Sequence, residues 1–167
     1  MTPLVIFFLL IIIMMAKLLD SDTHENIALL NQKLPEFNLP AVYENIPGLA
    51  NSDIKGKYSL LNIFASWCIT CKLEHPFLLS LSKEGVIPVY GIAWKDNPDN
   101  LSKWLKEKGN PYAAIGADND GKAIIDLSVT GAPETFLISP EGIVLLRYAG
   151  PINEDIWKKK FLPLMEK

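Results

Sequence analysis

Cysteine and histidine are scarce in this chain of 167 residues, which contains only two of each. A structural zinc site needs four ligands of the Cys, His or carboxylate type, often supplied by two Cys pairs. The sequence has one Cys-x-x-Cys pair, Cys68 and Cys71, and lacks a second. Because there is no other cysteine, neither member of the pair has a competing disulfide partner.

Basic residues are not in excess either, since 16 Lys and Arg stand against 19 Asp and Glu and give a net charge of −3. Proteins that bind nucleic acid carry a basic patch or stripe, which follows from the charge of the phosphates they neutralise. The charge balance therefore argues against nucleic acid as a partner.

One long hydrophobic run lies at the start of the chain, where residues 4–16 have no polar side chain. Counted from Pro3 to Leu19 it has 17 residues, the lower limit for a membrane-spanning helix. No small-x-small motif for signal cleavage follows it, and no Lys or Arg precedes it to orient it by the positive-inside rule. We predict that residues 1–19 are a membrane anchor or uncleaved signal, with a cleaved signal peptide as the alternative. Both alternatives export the rest of the chain.

The polar composition of residues 20–33 predicts a linker, in which His24 is expected to be a solvated residue. The pattern of a folded domain begins at residue 34, and we predict that this domain extends to residue 167. Its first elements are a short edge strand within residues 35–40, bounded by prolines, and a loop or hairpin at residues 52–57.

The domain is organised around residues 58–76. Apolar residues 60–64 predict a buried strand, and a helix is expected to begin at the cysteine pair. The helix is indicated by apolar residues at helical spacing, which are Leu73, Phe77, Leu78 and Leu81. Cys68 would then lie at a helix N-terminus, where free N–H groups and the helix dipole favour a thiolate.

Cys71, one helical turn further on, can reach the Cys68 sulfur and close a disulfide. The pair therefore indicates a redox site. Half of a zinc site and a pair of reduced structural thiols remain the alternatives.

Strands and helices are predicted to alternate after this stretch. A strand is expected at residues 86–94, and a helix from an Asn97 cap to Lys108 that ends at Gly109. Further elements are a short strand at 112–117, a helical turn at 122–127, strands at 135–138 and 143–148, and a final helix capped by Asn153. The buried face of that last helix is predicted to consist of Trp157, Phe161, Leu164 and Met165. Such alternation predicts an α/β sheet with helices on both faces.

Two motifs about sixty residues apart carry a resemblance to a known family. The first is Trp-Cys-Ile-Thr-Cys at residues 67–71 with Glu-His-Pro at 74–76, and the second is Gly-Ala-Pro-Glu-Thr-Phe at 131–136. From about Leu34 to the C-terminus the chain resembles the CcmG/DsbE branch of the thioredoxin superfamily, which comprises membrane-anchored thiol–disulfide proteins of cytochrome c maturation. The resemblance implies a thioredoxin fold with a central mixed sheet, an N-terminal extension and a central insertion, preceded by one N-terminal membrane helix.

The resemblance also implies roles for several residues. Cys68 would be the nucleophile and Cys71 the resolving cysteine. Pro133 would be a cis-proline that faces the disulfide, and it would leave the backbone of Ala132 free to pair with a substrate peptide. Trp67 would line the substrate groove beside Ala132, although on sequence alone a core aromatic is the alternative.

Acidic residues near these motifs are expected to tune the site. The resemblance implies proton handling for Glu74 and a tuning or partner role for Glu134, which would face the disulfide. On sequence alone, Glu74 is equally well an exposed helix residue. Asn62 stands where general thioredoxins carry a buried acid, which leaves Glu74 as the better candidate for proton transfer. Thr130 stands where the family often has an aromatic residue, so fine substrate specificity does not carry over.

The resemblance predicts a protein-disulfide reductase of the bacterial periplasm, held at the inner membrane by a single pass. It would reduce the Cys-x-x-Cys-His disulfide of apocytochrome c or of a dithiol carrier, and a transmembrane thiol donor of the DsbD/CcdA type would recharge it. No cofactor beyond the redox-active disulfide, and no metal, is expected. The enzyme alternative is a general exported reductase of the TlpA/ResA type.

An alternative of another class is a copper-binding assembly chaperone. Copper chaperones of this fold generally have a wider Cys-x-x-x-Cys spacing and a histidine far downstream. Neither feature occurs here.

Overall fold

The structure is a computed structural model that describes residues 2–19, 28–44 and 46–166. Its first element is helix α1 (Thr2–Leu19). Among the helices in the described ranges, none is both long enough and apolar enough to span a bilayer. His24 and residues 20–27 of the predicted linker lie outside the described residues.

The domain that follows is built on a five-stranded sheet with the order β5-β4-β3-β6-β7. These strands are β3 (Ser59–Phe64), β4 (Val89–Trp94), β5 (Ile115–Asp118), β6 (Glu134–Ile138) and β7 (Val144–Ala149). Strands β3, β4 and β5 are parallel, whereas β6 is antiparallel to both β3 and β7. A separate two-stranded sheet pairs β1 (Asn38–Leu39) with β2 (Leu49–Ala50). The predicted mixed sheet is confirmed.

Helices cover both faces of the sheet. One face packs against α3 (Ile69–Lys83), α4 (Pro98–Lys108) and the C-terminal helical segment. That segment consists of α6 (Glu154–Ile156), a π-helical turn (Trp157–Phe161) and α7 (Leu162–Met165). The other face packs against α2 (Asn51–Ile54) and α5 (Lys122–Asp126). The two faces therefore bury separate hydrophobic clusters, and the site described below belongs to the first.

The helix ends lie where the capping residues predict. The Asn97 side chain accepts hydrogen bonds from the N–H groups of Asp99 and Asn100 and starts α4 with Pro98 in its first turn. Gly109 ends α4 with φ +90°, and Gly85 follows α3 with φ +66°. Both values lie in the left-handed region, which glycine adopts without steric cost.

Several elements differ from the sequence predictions. Strand β4 begins at Val89 and not at residue 86, consistent with Pro88, which has no N–H for a ladder. Strand β5 begins at Ile115 and not at residue 112, and the Asn110 side chain bonds both the N–H and the carbonyl of Tyr112 ahead of it. The predicted loop at residues 52–57 overlaps α2, whose Asp53 carboxylate accepts the N–H of Ala50.

Side-chain burial also departs from the pattern at a few helix positions. Leu73 of α3 is 70 % exposed, whereas Leu78 and Leu81 are buried as their spacing predicts. In the C-terminal segment, Trp157 and Phe161 are buried, but the predicted core residues Leu164 and Met165 are only partly buried.

Part of the predicted linker packs against the domain. The Asn31 N–H donates to the Val144 carbonyl at 2.8 Å, and the Val144 N–H donates to the Gln32 carbonyl at 2.9 Å. The Leu34 N–H donates to Gly142 at 2.9 Å. Residues 31–34 thus form backbone hydrogen bonds with the start of β7 and the turn before it.

Candidate active site

The cysteine pair lies where β3 ends and α3 begins. Cys68 is the N-cap of α3 and Cys71 lies in its first turn, and the two form a disulfide with a Cα–Cα distance of 5.3 Å. The Cys68 sulfur accepts a hydrogen bond from the Cys71 N–H at 3.1 Å and lies 3.4 Å from the Thr70 hydroxyl. After reduction these donors would stabilise a thiolate on Cys68, since hydrogen bonds to a charged form favour it. Cys68 is 5 % exposed and Cys71 is 1 % exposed.

The loop before β6 lies against the disulfide. The Ala132–Pro133 peptide bond is cis, and the Ala132 carbonyl oxygen lies 3.5 Å from the Cys68 sulfur. The Gly150 N–H donates to the Pro133 carbonyl at 2.9 Å and ties this loop to the end of β7. The structure therefore brings together the two motifs of the sequence, as their resemblance to the family implies.

Trp67 lies on the surface beside Cys68. Its side chain is 55 % exposed, its ring centroid is 5.8 Å from that of Trp94, and its indole N–H donates to the Lys95 carbonyl at 3.3 Å. Trp67 is therefore not a core aromatic. An exposed ring next to the reactive sulfur is available for contact with a partner protein.

The Asp96 carboxylate holds the turn that leads into the cysteine pair. It accepts hydrogen bonds from the N–H and, at 2.6 Å, from the hydroxyl of Ser66. Asp96 was not predicted as a site residue, since it precedes the Asn97 cap and is 30 positions from Ser66. An acid just after a strand that neighbours the cysteine strand is the signal that would have found it.

Glu74 is buried and is not an exposed helix residue. Its side chain is 1 % exposed and lies one helical turn after Cys71. The carboxylate accepts one hydrogen bond from Asn62 Nδ2 at 2.9 Å and another from the Ile152 N–H at 3.0 Å. Burial raises the pKa of Glu74 to about 7, although the hydrogen bonds from Ile152 and Asn62 act to lower it. A carboxyl group that titrates near neutral pH is suited to accept and return a proton.

Asn62 connects Glu74 to two further buried residues. Its Nδ2 also donates to Thr135 Oγ1 at 2.9 Å, and its Oδ1 accepts from the Tyr112 hydroxyl at 2.9 Å. Burial, and then the charge of Glu74, raise the pKa of Tyr112 well above its ordinary value, so this hydroxyl stays a neutral donor. Thr135 and Tyr112 were not predicted as site residues, and their separations from Asn62, 73 and 50 positions, explain why.

The prediction that Glu134 faces the disulfide is wrong. Side chains alternate along β6, so Thr135 and Leu137 lie on the cysteine face and Glu134 lies on the opposite face. There its carboxylate forms a buried ion pair with Arg147 and accepts the Thr130 N–H at 3.2 Å. Arg147 also donates to the Ser128 carbonyl and lies over the Phe136 ring. From the face of the sheet opposite the cysteines, Glu134 therefore stabilises the loop that contains Pro133.

His75 packs between α3 and α4. It is 3 % exposed, its Nε2 lies 3.0 Å from the Gly109 carbonyl, and its ring is 4.6 Å from Trp104. Burial lowers the pKa of His75 below its ordinary value, while hydrogen bonds to the Gly109 and Lys108 carbonyls act in the other direction. Within residues 2–19, 28–44 and 46–166, no group of three or more Cys, His, Asp or Glu side chains is arranged to hold a metal ion.

Comparison with known proteins places this site in a family. The model of the Redoxin family matches residues 29–160. The chain is 37 % identical over 164 residues to the thiol:disulfide interchange protein DsbE of Pseudomonas aeruginosa, covering 98 % of this chain and 91 % of that protein. It is 43 % identical over 150 residues to DsbE of Escherichia coli K12, with coverage of 89 % and 80 %. The thiol:disulfide interchange protein CycY of Rhizobium leguminosarum bv. viciae is 45 % identical over 122 residues, covering 73 % of this chain and 66 % of that protein.

Solved structures show the same fold. A secreted thiol-disulfide isomerase from Corynebacterium glutamicum superposes with a TM-score of 0.70 at 20 % identity, covering 89 % of this chain and 95 % of that one. A thiol-disulfide oxidoreductase from Bacteroides fragilis gives 0.65 at 24 % identity, covering 80 % and 99 %. The predicted thioredoxin-like fold is thus confirmed. The chain belongs to the Redoxin family and, within it, to the DsbE/CcmG group of thiol:disulfide oxidoreductases.

Proposed function

We propose that this oxidoreductase works as a reductase outside the cytoplasm. Its Cys68–Cys71 dithiol would pass two electrons to the Cys-x-x-Cys-His disulfide of apocytochrome c, or to the disulfide of a dithiol carrier of the same maturation pathway. The family resemblance of the sequence supports the choice of substrate, and the DsbE and CycY relatives support thiol–disulfide interchange as the reaction.

The burial of Glu74 one turn from Cys71 is the observation that carries the direction of transfer. Among the described residues, its carboxylate is held by neutral donors only, the Asn62 amide and the Ile152 N–H. A negative charge near the cysteines disfavours a thiolate and so opposes the stabilisation that the Cys71 N–H and the Thr70 hydroxyl would give to Cys68. The less the reduced form is stabilised, the stronger a reductant the protein is. The site therefore favours electron transfer from the Cys68–Cys71 dithiol to a partner disulfide.

The reaction proceeds through a mixed disulfide. The Cys68 thiolate attacks one sulfur of the partner disulfide, so that a Cys68–partner bond forms and the other partner sulfur leaves as a thiolate that takes up a proton. Glu74 then accepts the proton of the Cys71 thiol, and the Cys71 thiolate attacks the Cys68 sulfur. The Cys68–Cys71 disulfide forms, and the second partner sulfur leaves and receives a proton, so two electrons have moved to the partner.

The oxidised site must be reduced again before the next cycle. We assign this step to a transmembrane thiol donor of the DsbD/CcdA type, which would bring electrons from the cytoplasm. The same surface, formed by Trp67 and the Ala132–Pro133 loop, would meet both the donor and the substrate.

We place the activity in the bacterial periplasm, at the inner membrane, with residues 1–19 as the uncleaved segment that directs export. The large apolar side chains from Leu4 to Met15 are solvent-exposed in α1, which supports a role in contact with lipid. A C-terminally tagged chain expressed in a bacterium should be found in the membrane fraction with its N-terminus intact. Recovery of a shortened soluble form would contradict the anchor, and retention in the cytoplasm would contradict export.

The reduction potential tests the direction. The full chain in detergent is equilibrated with glutathione or dithiothreitol buffers, and the fraction of Cys68–Cys71 disulfide is measured. We expect a value well below about −180 mV, on the reducing side of disulfide isomerase. A value near about −120 mV would mark an oxidant and contradict the proposal.

A trapping experiment tests the substrate. The Cys71→Ser variant should accumulate a mixed disulfide with an oxidised Cys-x-x-Cys-His peptide, because the second attack is blocked, and Cys68→Ser should not. A peptide with the same cysteines but without the histidine is the control. Equal trapping of both peptides would favour a general reductase of the TlpA/ResA type.

A further inference from the structure

The orientation of the Asn62 side-chain amide decides whether a hydrogen-bond donor or an acceptor faces the Glu74 carboxyl group. Asn62 is fully buried and uses all its polar groups, because two N–H bonds go to Glu74 and Thr135 and the oxygen accepts from Tyr112. The oxygen and nitrogen ends of an amide have nearly the same shape, so hydrogen bonds and not packing decide which end points where.

Reversing this amide would change the sign of its effect on Glu74. With the NH₂ group toward Glu74, Asn62 supports the ionised carboxylate. With the oxygen toward Glu74, a lone pair would face the carboxyl group, and only the protonated form could donate a hydrogen bond to it.

Tyr112 is held so that its hydroxyl meets the Asn62 oxygen. Its ring stacks on Phe64 with a centroid distance of 4.3 Å. The Asn110 side chain forms hydrogen bonds with both the N–H and the carbonyl of Tyr112. Gly91 on β4 leaves the room for this stack, since a Cβ there would lie 2.6 Å from Phe64 and 2.9 Å from Tyr112. The Tyr112 ring is thus positioned by Phe64 of β3, by Gly91 of β4 and by the neighbouring Asn110.

We propose that Tyr112 is a positioning residue for thiol–disulfide exchange, because its hydroxyl holds the Asn62 amide with the NH₂ group toward Glu74. Reversal of the amide would place an N–H against the phenol oxygen and leave the phenol hydrogen without its acceptor. The groups that face Glu74 in the described part of the chain are Asn62 from β3, the Ile152 N–H after β7 and, on its own helix, Cys71. Tyr112 acts across Asn62, and the charge of Glu74 in turn raises the pKa of Tyr112.

The inference rests on the proposed role of Glu74 and can be tested apart from it. In Tyr112→Phe the ring remains and the hydroxyl is lost, so the amide is free to reverse and the protonated carboxyl gains an acceptor. We expect the titration midpoint of the Glu74 side-chain carboxyl, followed by carbon NMR in the oxidised protein, to rise by about 0.5–1 pH unit. The midpoint of the pH–rate profile for mixed-disulfide resolution should rise with it.

Tyr90→Phe is the matched control, because Tyr90 is equally buried, 6 % exposed, but belongs to the cluster on the other face of the sheet. It should leave the midpoint unchanged. In an Asn62→Ala background, Tyr112→Phe should add no further shift, since the amide that it orients is gone. An unchanged midpoint in Tyr112→Phe, or an equal shift in Tyr90→Phe, would overturn the inference.

A failure of the proposed role of Glu74 would give a different experimental result from a failure of this inference. If Glu74→Gln leaves the pH–rate profile unchanged, Glu74 is not the proton acceptor. The NMR midpoint in Tyr112→Phe still reports whether Tyr112 orients the amide.

Discussion

Among the residues that the structure describes, two glutamates are buried in the domain, one on each face of the same sheet. Glu74 is 1 % exposed and Glu134 is fully buried. The charge of Glu134 is matched by the Arg147 guanidinium, whereas the described partners of Glu74 are an amide and a backbone N–H. The paired carboxylate has a structural task, and the one without a cation remains able to exchange a proton near pH 7. The partner, and not burial alone, separates a structural carboxylate from a reactive one.

Removing the cation from the Glu134 pair should give the largest effect. Arg147→Met leaves a buried carboxylate unpaired, and we expect the free energy of unfolding to fall by about 3–5 kcal/mol in urea titrations at pH 7. The double variant Glu134→Gln with Arg147→Met should recover much of the loss. Lys158→Met, which breaks an exposed pair with Glu154, is the control, and an equal loss there would contradict the distinction.

Glu74 should make the stability of the protein depend on pH in the opposite sense from an ion-paired acid. Its pKa rises from 4.5 in the unfolded chain to about 7 in the folded protein, so the folded state binds the proton more tightly. The resulting stabilisation is fully present below pH 4.5 and is lost as pH rises through about 7. It amounts to about 3 kcal/mol.

Urea unfolding at pH 5 and pH 8 measures this difference. The loss of stability between the two pH values should be larger in the wild type than in Glu74→Gln, which cannot titrate. The same loss in both proteins would show that Glu74 has an ordinary pKa.

The exchange reaction should distinguish the two glutamates as well. Glu74→Gln removes the proton acceptor, and we expect resolution of a mixed disulfide at pH 7 to slow by about a hundredfold, the lower limit of the range for general acid–base catalysis. Stopped-flow fluorescence of a labelled peptide would measure the rate. The Glu134→Gln variant, compared per folded molecule, should keep the wild-type rate, and a matching loss there would show that the effect is not specific to the cysteine face.

The smallest effect is expected from an exposed acid. Asp126 forms a surface pair with Lys122 four residues before it in α5. Asp126→Asn should change the free energy of unfolding by less than about 0.5 kcal/mol, since exposed ion pairs contribute little. The exchange rate should stay at the wild-type value, and a clear fall in that rate would assign Asp126 a functional role.

Local signals in the sequence predict well the strand and helices that position the site. The buried strand β3, the cap position of Cys68, and the start and end of α4 follow from short-range patterns of apolar residues, caps and glycines. The position of Glu134 does not, because side chains alternate along a strand and a motif does not say which face its residue takes. The Arg147 pair and the Tyr112 and Thr135 contacts of Asn62 join residues that only the folded sheet brings together.

The titration of Glu74 tests the central claim most directly. The side-chain carboxyl carbon of Glu74 is followed by NMR from pH 4 to pH 9 in the oxidised protein, with Glu74→Gln to assign the signal. A midpoint near pH 7 is the result that we predict from the burial of the carboxylate without a cation. A midpoint near 4.5, its ordinary value, would contradict the assignment of Glu74 as the proton acceptor of the site.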